Sequence, residues 1–337
     1  MKHIRLTGLF SLQSPLSHIG ESLSTTSYLV QEPILQPDGT LEEVFCYSGN
    51  AWRGQLRDLA ASYMLEQLGR PQLAIDAFHL LYSGGRIGGE QVVDVEKARR
   101  WRRSVPMLAL FGGGVGNQIL PGKLRVSNAY PLCREALPAL PPQHRSVASL
   151  LTYRGMTFEK SFSRKDDAKD DRVNHALDAP PAPSPAGLLP GMEPPAPKAR
   201  APKKDAKDDG PADQMRMTAE LLAAGVQLAT EIDALDVTDI ELGSLVSALH
   251  RFSRSPHIGG QSSRGHGRVA LTYDLLDVDT GELQPFLTVD GGASLLAPPA
   301  EQAKAAYDTY LRETYDAMLQ AQKPELASML GEGLGKK

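Results

Sequence analysis

What most narrows the fold is a recurrence along the 337 residues: an alternating stretch, a helical stripe, two more alternating stretches, a second helical stripe and a last alternation. Residues 3 to 12 open it, with Ile4, Leu6, Phe10 and Leu12 on one face and Arg5, Thr7, Leu9 and Ser11 on the other, as in a half-buried strand. Trp52, Leu56, Leu59, Tyr63 and Leu68 then recur at helical spacing; Ser48 or Asn50 is placed to cap this helix, and Gly69 with Pro71 beyond it to end it. Residues 119–130 and 226–236 again read as strands. Thr238-Asp239-Ile240-Glu241 has the form of a capping box, followed by the apolar stripe Leu242, Leu245, Val246, Leu249 and Phe252. Val269, Leu271, Tyr273 and Leu275 close the series, and the order β-α-β-β-α-β predicts an α+β protein with a ferredoxin-like core.

Between the second helix and the last strand, His257 to Val269 holds Gly259, Gly260, Gly265 and Gly267 together with Arg264 and Arg268. Glycines let backbone amides approach a polyanion, and guanidinium forks match phosphate oxygens. No Lys-Ser or Lys-Thr follows the glycines and the next element is a strand, so neither common nucleotide-binding loop fits. A nucleic-acid backbone is the ligand expected, with Gln261, Ser262, Ser263 and His266 completing the loop's contacts. At the start of the first helix Arg53 and Arg57 lie one turn apart, where the helix dipole already favours an anion. Pairing with Asp58 or a surface carboxylate is the structural alternative for each.

Ser83 to Gly89 is a second glycine-rich segment, carrying Arg86, and Arg99, Arg100, Arg102 and Arg103 surround Trp101. That tryptophan either stacks on a base or packs inward beneath a charged face. Phe111 to Gly116 lacks the spacing of a dinucleotide site, and Lys123 and Arg125 follow it on an expected strand. A net charge of −4 removes the simplest nucleic-acid signature, so the local placement of arginines carries the argument. Cys46 and Cys133 have no partners at zinc spacing; no metal and no cofactor is expected. Apolar runs are too short for a signal peptide or a bilayer span, which predicts a cytoplasmic protein with no membrane partner. From Pro180 to Pro211 there are ten prolines, flanked by mixed charge including Asp166, Asp167, Asp170 and Asp171, as in a mobile insertion rather than a Mg²⁺ site. Pro298 and Pro299 introduce a helix from about Glu301 to Gln322, with Tyr307, Tyr310, Leu311 and Met318 as its expected buried face, and the tail from Gly331 should fray.

The opening segment Leu6 to Gly20, the segment Ser48 to Arg57, the stretch Phe111 to Tyr130 and the loop Ile258 to Val269 occur in the order found in RAMP-superfamily CRISPR proteins. More narrowly, the chain resembles the backbone subunit of type IV CRISPR effector complexes, a relative of type III backbone subunits. The resemblance spans most of residues 3 to 280 and implies a hand-shaped subunit. Residues 1–150 would form the first part of an RRM-like palm, with finger insertions at about 70–118. Residues 151–215 would form a thumb, 216–296 the second part of the palm, and 297–337 a C-terminal helix and tail. The thumb contacts would come from Phe158, Phe162, Arg164 and Lys165.

The implied partners are a guide RNA (crRNA), complementary target DNA with RNA as the alternative, further copies of the chain, other CRISPR effector subunits and a helicase. Type III relatives that cut their target carry an aspartate in the loop after the first His-Ile-Gly motif. Here no aspartate occurs between His18 and Pro37, and Gln31 or Glu32 stands nearest. The chain is therefore expected to be non-catalytic. Two alternatives stay open: an endoribonuclease processing precursor guide RNA through His18 or His266, and an RRM-like binder of cellular RNA that reads bases with exposed aromatics.

Overall fold

The computed structural model describes residues 1–85, 95–115, 118–163 and 216–319. Arg86, Arg164, Lys165, the aspartate cluster, the proline-rich segment and the tail lie outside the described residues.

The chain opens with β1 (Lys2–Leu12), two hairpins β2 (Ile19–Leu23) with β3 (Thr26–Leu29) and β4 (Gln31–Leu35) with β5 (Leu41–Phe45), then α1 (Gly49–Gln67). A short turn α2 (Ile75–Phe78), α3 (Val95–Ser104) and α4 (Pro106–Phe111) lead to β6 (Gly113–Val115), β7 (Gln118–Leu120), β8 (Leu124–Val126) and β9 (Tyr130–Pro131). After the single turn α5 (Arg145–Ala148) come β10 (Thr157–Ser163), β11 (Arg216–Leu222), β12 (Gln227–Val237), α6 (Asp239–Phe252), β13 (Val269–Asp277), β14 (Leu283–Asp290), β15 (Ala293–Leu296) and α7 (Pro298–Leu319).

The main sheet has the order β15-β14-β13-β1-β12-β8, with β9 also on β12. Its central four strands, β13-β1-β12-β8, are all antiparallel neighbours, and α1 and α6 make the two crossovers. This is the ferredoxin-like arrangement that the β-α-β-β-α-β order predicts, extended at one edge by β14 and β15. The α+β class holds, and among the described residues none of the sheets closes into a barrel.

Strand β1 sits at the centre because its inward residues suit burial on both sides. Leu6 lies opposite Ile232 and Leu275, and Ile4, Leu6, Phe10 and Leu12 are all buried. Gly8 interrupts that row because a Cβ there would lie 2.5 Å from the ring of Tyr273 and 2.0 Å from the Thr272 carbonyl. Trp52 fills the centre, edge-on to Phe10 at 5.2 Å and to Phe252 at 5.0 Å, with its indole N–H donating to the Tyr273 hydroxyl at 3.1 Å.

The capping box forms as written: the Glu241 amide donates to Thr238 Oγ1 and the Thr238 amide to Glu241 Oε2. The start of α1 differs from expectation. Ser48 is its N-cap, but no side-chain bond runs from it; the Gly49 amide donates instead to Asn128 Oδ1 at 2.9 Å. Helix α7 begins at Pro298, three residues before the expected start, since proline suits the first helical turn. Tyr307 and Leu311 are buried and Tyr310 partly so, as the stripe requires.

Two elements lie across the expected divisions. Every residue of α4 is buried against the helical layer, so this part of the expected finger insertion at about 70–118 is core. The expected division between thumb and second palm part, at 215 and 216, cuts through an antiparallel hairpin, because β10 pairs with β11 from Thr157↔Leu222 to Ser163↔Arg216. That hairpin joins β3 and β2 in a separate four-stranded sheet of order β10-β11-β3-β2.

Candidate nucleic-acid interface

The glycine loop closes onto the chain leaving β1. The amides of Gln13 and Ser14 reach the Arg268 carbonyl at 2.8 and 3.3 Å, the Gly267 amide reaches the Pro15 carbonyl at 2.8 Å, and the Gly260 amide reaches the Ser17 carbonyl at 2.6 Å. Gln55 of α1 ties the loop from the other side, its amide nitrogen donating to the His257 carbonyl at 2.7 Å. The glycines serve this closure first. At Gly259 (φ +71°) a Cβ would lie 2.4 Å from the Ser17 carbonyl oxygen, and at Gly267 (φ +79°) 2.0 Å from that of Ile258. The four glycines therefore differ: Gly267 is buried, Gly259 is exposed but has no room for a Cβ, Gly260 is exposed with its amide given to Ser17, and a Cβ on Gly265 would meet nothing within 4 Å.

The closed ends lift residues 261–265 into solvent. Gln261 adopts a left-handed φ of +58° and Ser262–Arg264 form a 3-10 turn ended by Gly265 at φ +83°. The amides of Gln261, Ser262 and Ser263 have no acceptor among the described residues. Arg264 and Arg268 are exposed, and neither forms an ion pair among the described residues. His266 is buried beneath the turn with Nδ1 unpartnered; burial, with the charges of Lys160 and Arg264, lowers its pKa.

The structure brings one expected thumb residue to this loop. The Arg264 guanidinium lies 4.5 Å from the centre of the Phe162 ring, a cation–π contact between the glycine loop and β10. Strand alternation places Phe158, Lys160 and Phe162 on one face of the hairpin, and Phe158 is 39% exposed. Lys160 carries no signal of its own in the sequence; it is found only once the hairpin packs beside His266.

Arg53 and Arg57 are placed differently from the expectation. Arg57 is buried, donating to the carbonyls of Leu80 at 3.3 Å, Phe111 at 2.7 Å and Gly112 at 3.0 Å, and Arg53 also donates to the Phe111 carbonyl. Together they satisfy the carbonyls at the C-terminal end of α4, where a cation is favoured. Burial and the neighbouring Arg53 push the Arg57 pKa down to about 10. Arg57 is a strut of the core; Arg53 is only half-buried.

Lys123 is also engaged, donating to both carboxylate oxygens of Glu241 at 2.8 and 2.7 Å and to the Asp236 carbonyl at 2.7 Å. Arg125 is exposed on β8 in register with Asp233, and Asp233 sits opposite Arg5 of β1. Arg5 is seven residues from the loop end of β1, about 23 Å at strand rise. The structure therefore separates Lys123 and Arg125 from the glycine loop.

The face of the main sheet away from α1 and α6 is polar and rich in carboxylates, and Gln143 covers its middle by donating to Oγ1 of the buried Thr7 at 2.5 Å. Arg5 Nε pairs with Asp233 at 2.7 Å beside Glu231, and Asp274 lies opposite Thr7. Burial raises the Glu231 pKa, against the lowering effect of Arg5. No Phe, Tyr or Trp projects from this face on β1, β12 or β13. Trp101 packs against the core, the inward arrangement of the two expected.

His18 is half-buried and edge-on to Tyr47 at 5.0 Å, its Nε2 accepting from the Ser48 amide at 3.4 Å, and burial lowers its pKa. Glu32 accepts from Asn128 Nδ2 at 3.0 and 3.1 Å and from the Tyr130 hydroxyl. Asn128 thus turns its nitrogen to Glu32 and its oxygen to the first turn of α1, which settles its amide orientation. Asn128→Ala is expected to lower stability by about 1 kcal/mol, as for a lost N-cap, read as a shift in the urea midpoint. Among the described residues no group of His, Cys, Asp or Glu is arranged to hold a metal ion, and no helix is long and apolar enough to cross a membrane. Burial pushes both free thiols, Cys46 and Cys133, up to about 12.

Fold and site together define a ferredoxin-like chain whose exposed arginine loop meets an aromatic strand of an inserted hairpin. No protein-family model matches the chain, and no curated protein matches it. Among solved structures, a chain of a "Type IV-B CRISPR Complex" is similar, with 22% identity over 80% of this chain and 90% of that one and a TM-score of 0.45. That level of likeness carries no functional conclusion.

Proposed function

We propose that this chain is a non-catalytic backbone subunit that binds guide RNA in a type IV CRISPR ribonucleoprotein, with several copies along one guide. The observation that carries the reading is the meeting of Arg264 with Phe162, which puts a cationic loop and an aromatic strand at one edge of a ferredoxin-like palm. Arg264, Arg268 and Lys160 supply phosphate contacts there, the amides of residues 261–263 add donors, and the exposed Phe158 offers an apolar surface to a base. The motifs shared with RAMP-superfamily proteins direct the choice of guide RNA over other polyanions. Target DNA, other effector subunits and a helicase are the partners this role requires.

Binding to single-stranded RNA should be mainly electrostatic, with log affinity falling by about 0.7 per neutralised phosphate for each log unit of salt. Arg268→Ala is expected to reduce that slope by about 0.7 and to weaken binding alike on unrelated sequences, measured by fluorescence anisotropy across a salt series. Unchanged slope and affinity in both Arg264→Ala and Arg268→Ala would remove the loop from the interface.

The endoribonuclease reading gives His18 or His266 the part of general base. Neither histidine has a carboxylate or second histidine bonded to it among the described residues. Labelled precursor RNA should stay intact with the purified chain; discrete products lost in His18→Ala or His266→Ala would establish the enzyme instead.

A further inference from the structure

The structure carries two like-charged surfaces on separate elements, of opposite sign. Helix α3 (Val95–Ser104) is held by buried Ala98, by Trp101 packed on the core and by the Tyr310 hydroxyl donating to the Ser104 carbonyl at 2.8 Å. It thereby presents Arg99, Arg102 and Arg103, spaced three and four residues apart, where like charges on a helix repel. Glu96 pairs with Arg99 at 3.0 Å and is the helix's only acid.

The second surface is the far face of the sheet β10-β11-β3-β2. Alternation sends Lys160 and Phe162 to the glycine-loop side and Glu159 to the opposite side, directly across from Glu220. Two carboxylates in that cross-strand position are unfavourable. Glu220, Glu21 and Glu43 line a depression of about 510 Å³ with Tyr28, and no Lys or Arg among the described residues lines it. Beside it runs β2, exposed at all five residues, with Ile19 42% and Leu23 60% exposed. Glu220 accepts from the Leu29 amide at 3.1 Å, and among the described residues no cation in the depression offsets its charge or that of Glu21 and Glu43. Such an acidic surface beside an edge strand with apolar residues suits a cationic protein surface, and repels a nucleic acid.

We propose that α3 of one copy docks on this acidic face of the next copy, so that Arg99, Arg102 and Arg103 meet Glu21, Glu43, Glu159 and Glu220. Each cluster relieves the self-repulsion of the other. The two patches are different surfaces, so the contact is head-to-tail and continues into a linear array. The inference rests on the proposed backbone role and names the surface that role requires.

Full-length chains with Arg102→Glu/Arg103→Glu, or with Glu21→Arg/Glu43→Arg, should each self-associate about tenfold or more weakly than wild type by analytical ultracentrifugation at low salt, with and without RNA. The quadruple variant, and a one-to-one mixture of the two double variants, should regain association, which also shows that the altered chains fold. Unchanged association in both double variants, failure of both rescues, or a wild-type chain that stays monomeric with and without RNA overturns the proposal. So does an Arg102→Glu/Arg103→Glu chain that associates normally but loses affinity for a short RNA, since α3 would then face nucleic acid. Binding of that short RNA, spanning one copy, reports on the backbone reading separately.

Discussion

Arg57→Ala is expected to lower stability by about 3–5 kcal/mol while leaving the intrinsic RNA affinity of the folded fraction close to wild type. The guanidinium reaches carbonyls from three places, Leu80, Phe111 and Gly112, and lies 5.5 Å from the centre of the Phe111 ring. Removing it leaves Arg53 on the Phe111 carbonyl but orphans those of Leu80 and Gly112, each a penalty of about 1–3 kcal/mol, and opens a gap beside Phe111. Arg57→Lys should recover only part of the loss, because a point charge on a flexible stem cannot span the same oxygens. Urea denaturation and RNA titration on the same preparations separate the two roles. A wild-type urea midpoint combined with lost RNA binding would return Arg57 to the interface.

Gly267→Ala should be the most damaging change in the glycine loop. Its φ of +79° is a conformation that costs a non-glycine residue roughly 1–2 kcal/mol, and its Cβ would stand 2.0 Å from a backbone oxygen that is itself part of the loop. Relief requires the paired strands of the loop to part, breaking the bonds from Ile258 to Gly267 and from Gly267 to Pro15. The expected loss is about 3 kcal/mol or more, with RNA affinity falling to that of a chain lacking both Arg264 and Arg268 side chains. Gly265→Ala is the control: it shares a φ of +83° but meets nothing within 4 Å, so about 1 kcal/mol and a nearly intact affinity are expected. Equal effects of the two substitutions, in thermal melts and RNA titrations run side by side, would mean that the loop is not held as described.

The contrast between these two glycines marks the limit of what the sequence discloses. The elements of the palm were legible because their signals are local: alternation in residues 3–12, the stripe from Trp52 to Leu68 and the box Thr238 to Glu241 each need only near neighbours. The loop was legible as a place, through its composition and the strand after it. Which glycines hold the turn and which face solvent depends on Pro15 and Ser17, more than two hundred residues upstream. Arg57 looked like a phosphate contact because its partners at 80, 111 and 112 belong to elements whose position no periodicity reveals. Asn128 took the capping role from Ser48 for the same reason, and the sheet that joins β10 and β11 to β3 arises from a parallel pairing between distant segments.

The last cross-strand pair of the β10–β11 hairpin, Ser163↔Arg216, has a consequence for how such chains can diverge. Ser163 and Arg216 are held as neighbours of one ladder, so the two points of attachment are fixed whatever the length of chain between them. The entropy of closing a loop grows only logarithmically, about 0.6 kcal/mol for each doubling of length. A lineage could therefore lengthen, shorten or replace that segment at little thermodynamic penalty to the palm. The pleat of two strands would go on aiming Phe162 at Arg264 while everything beyond it changed.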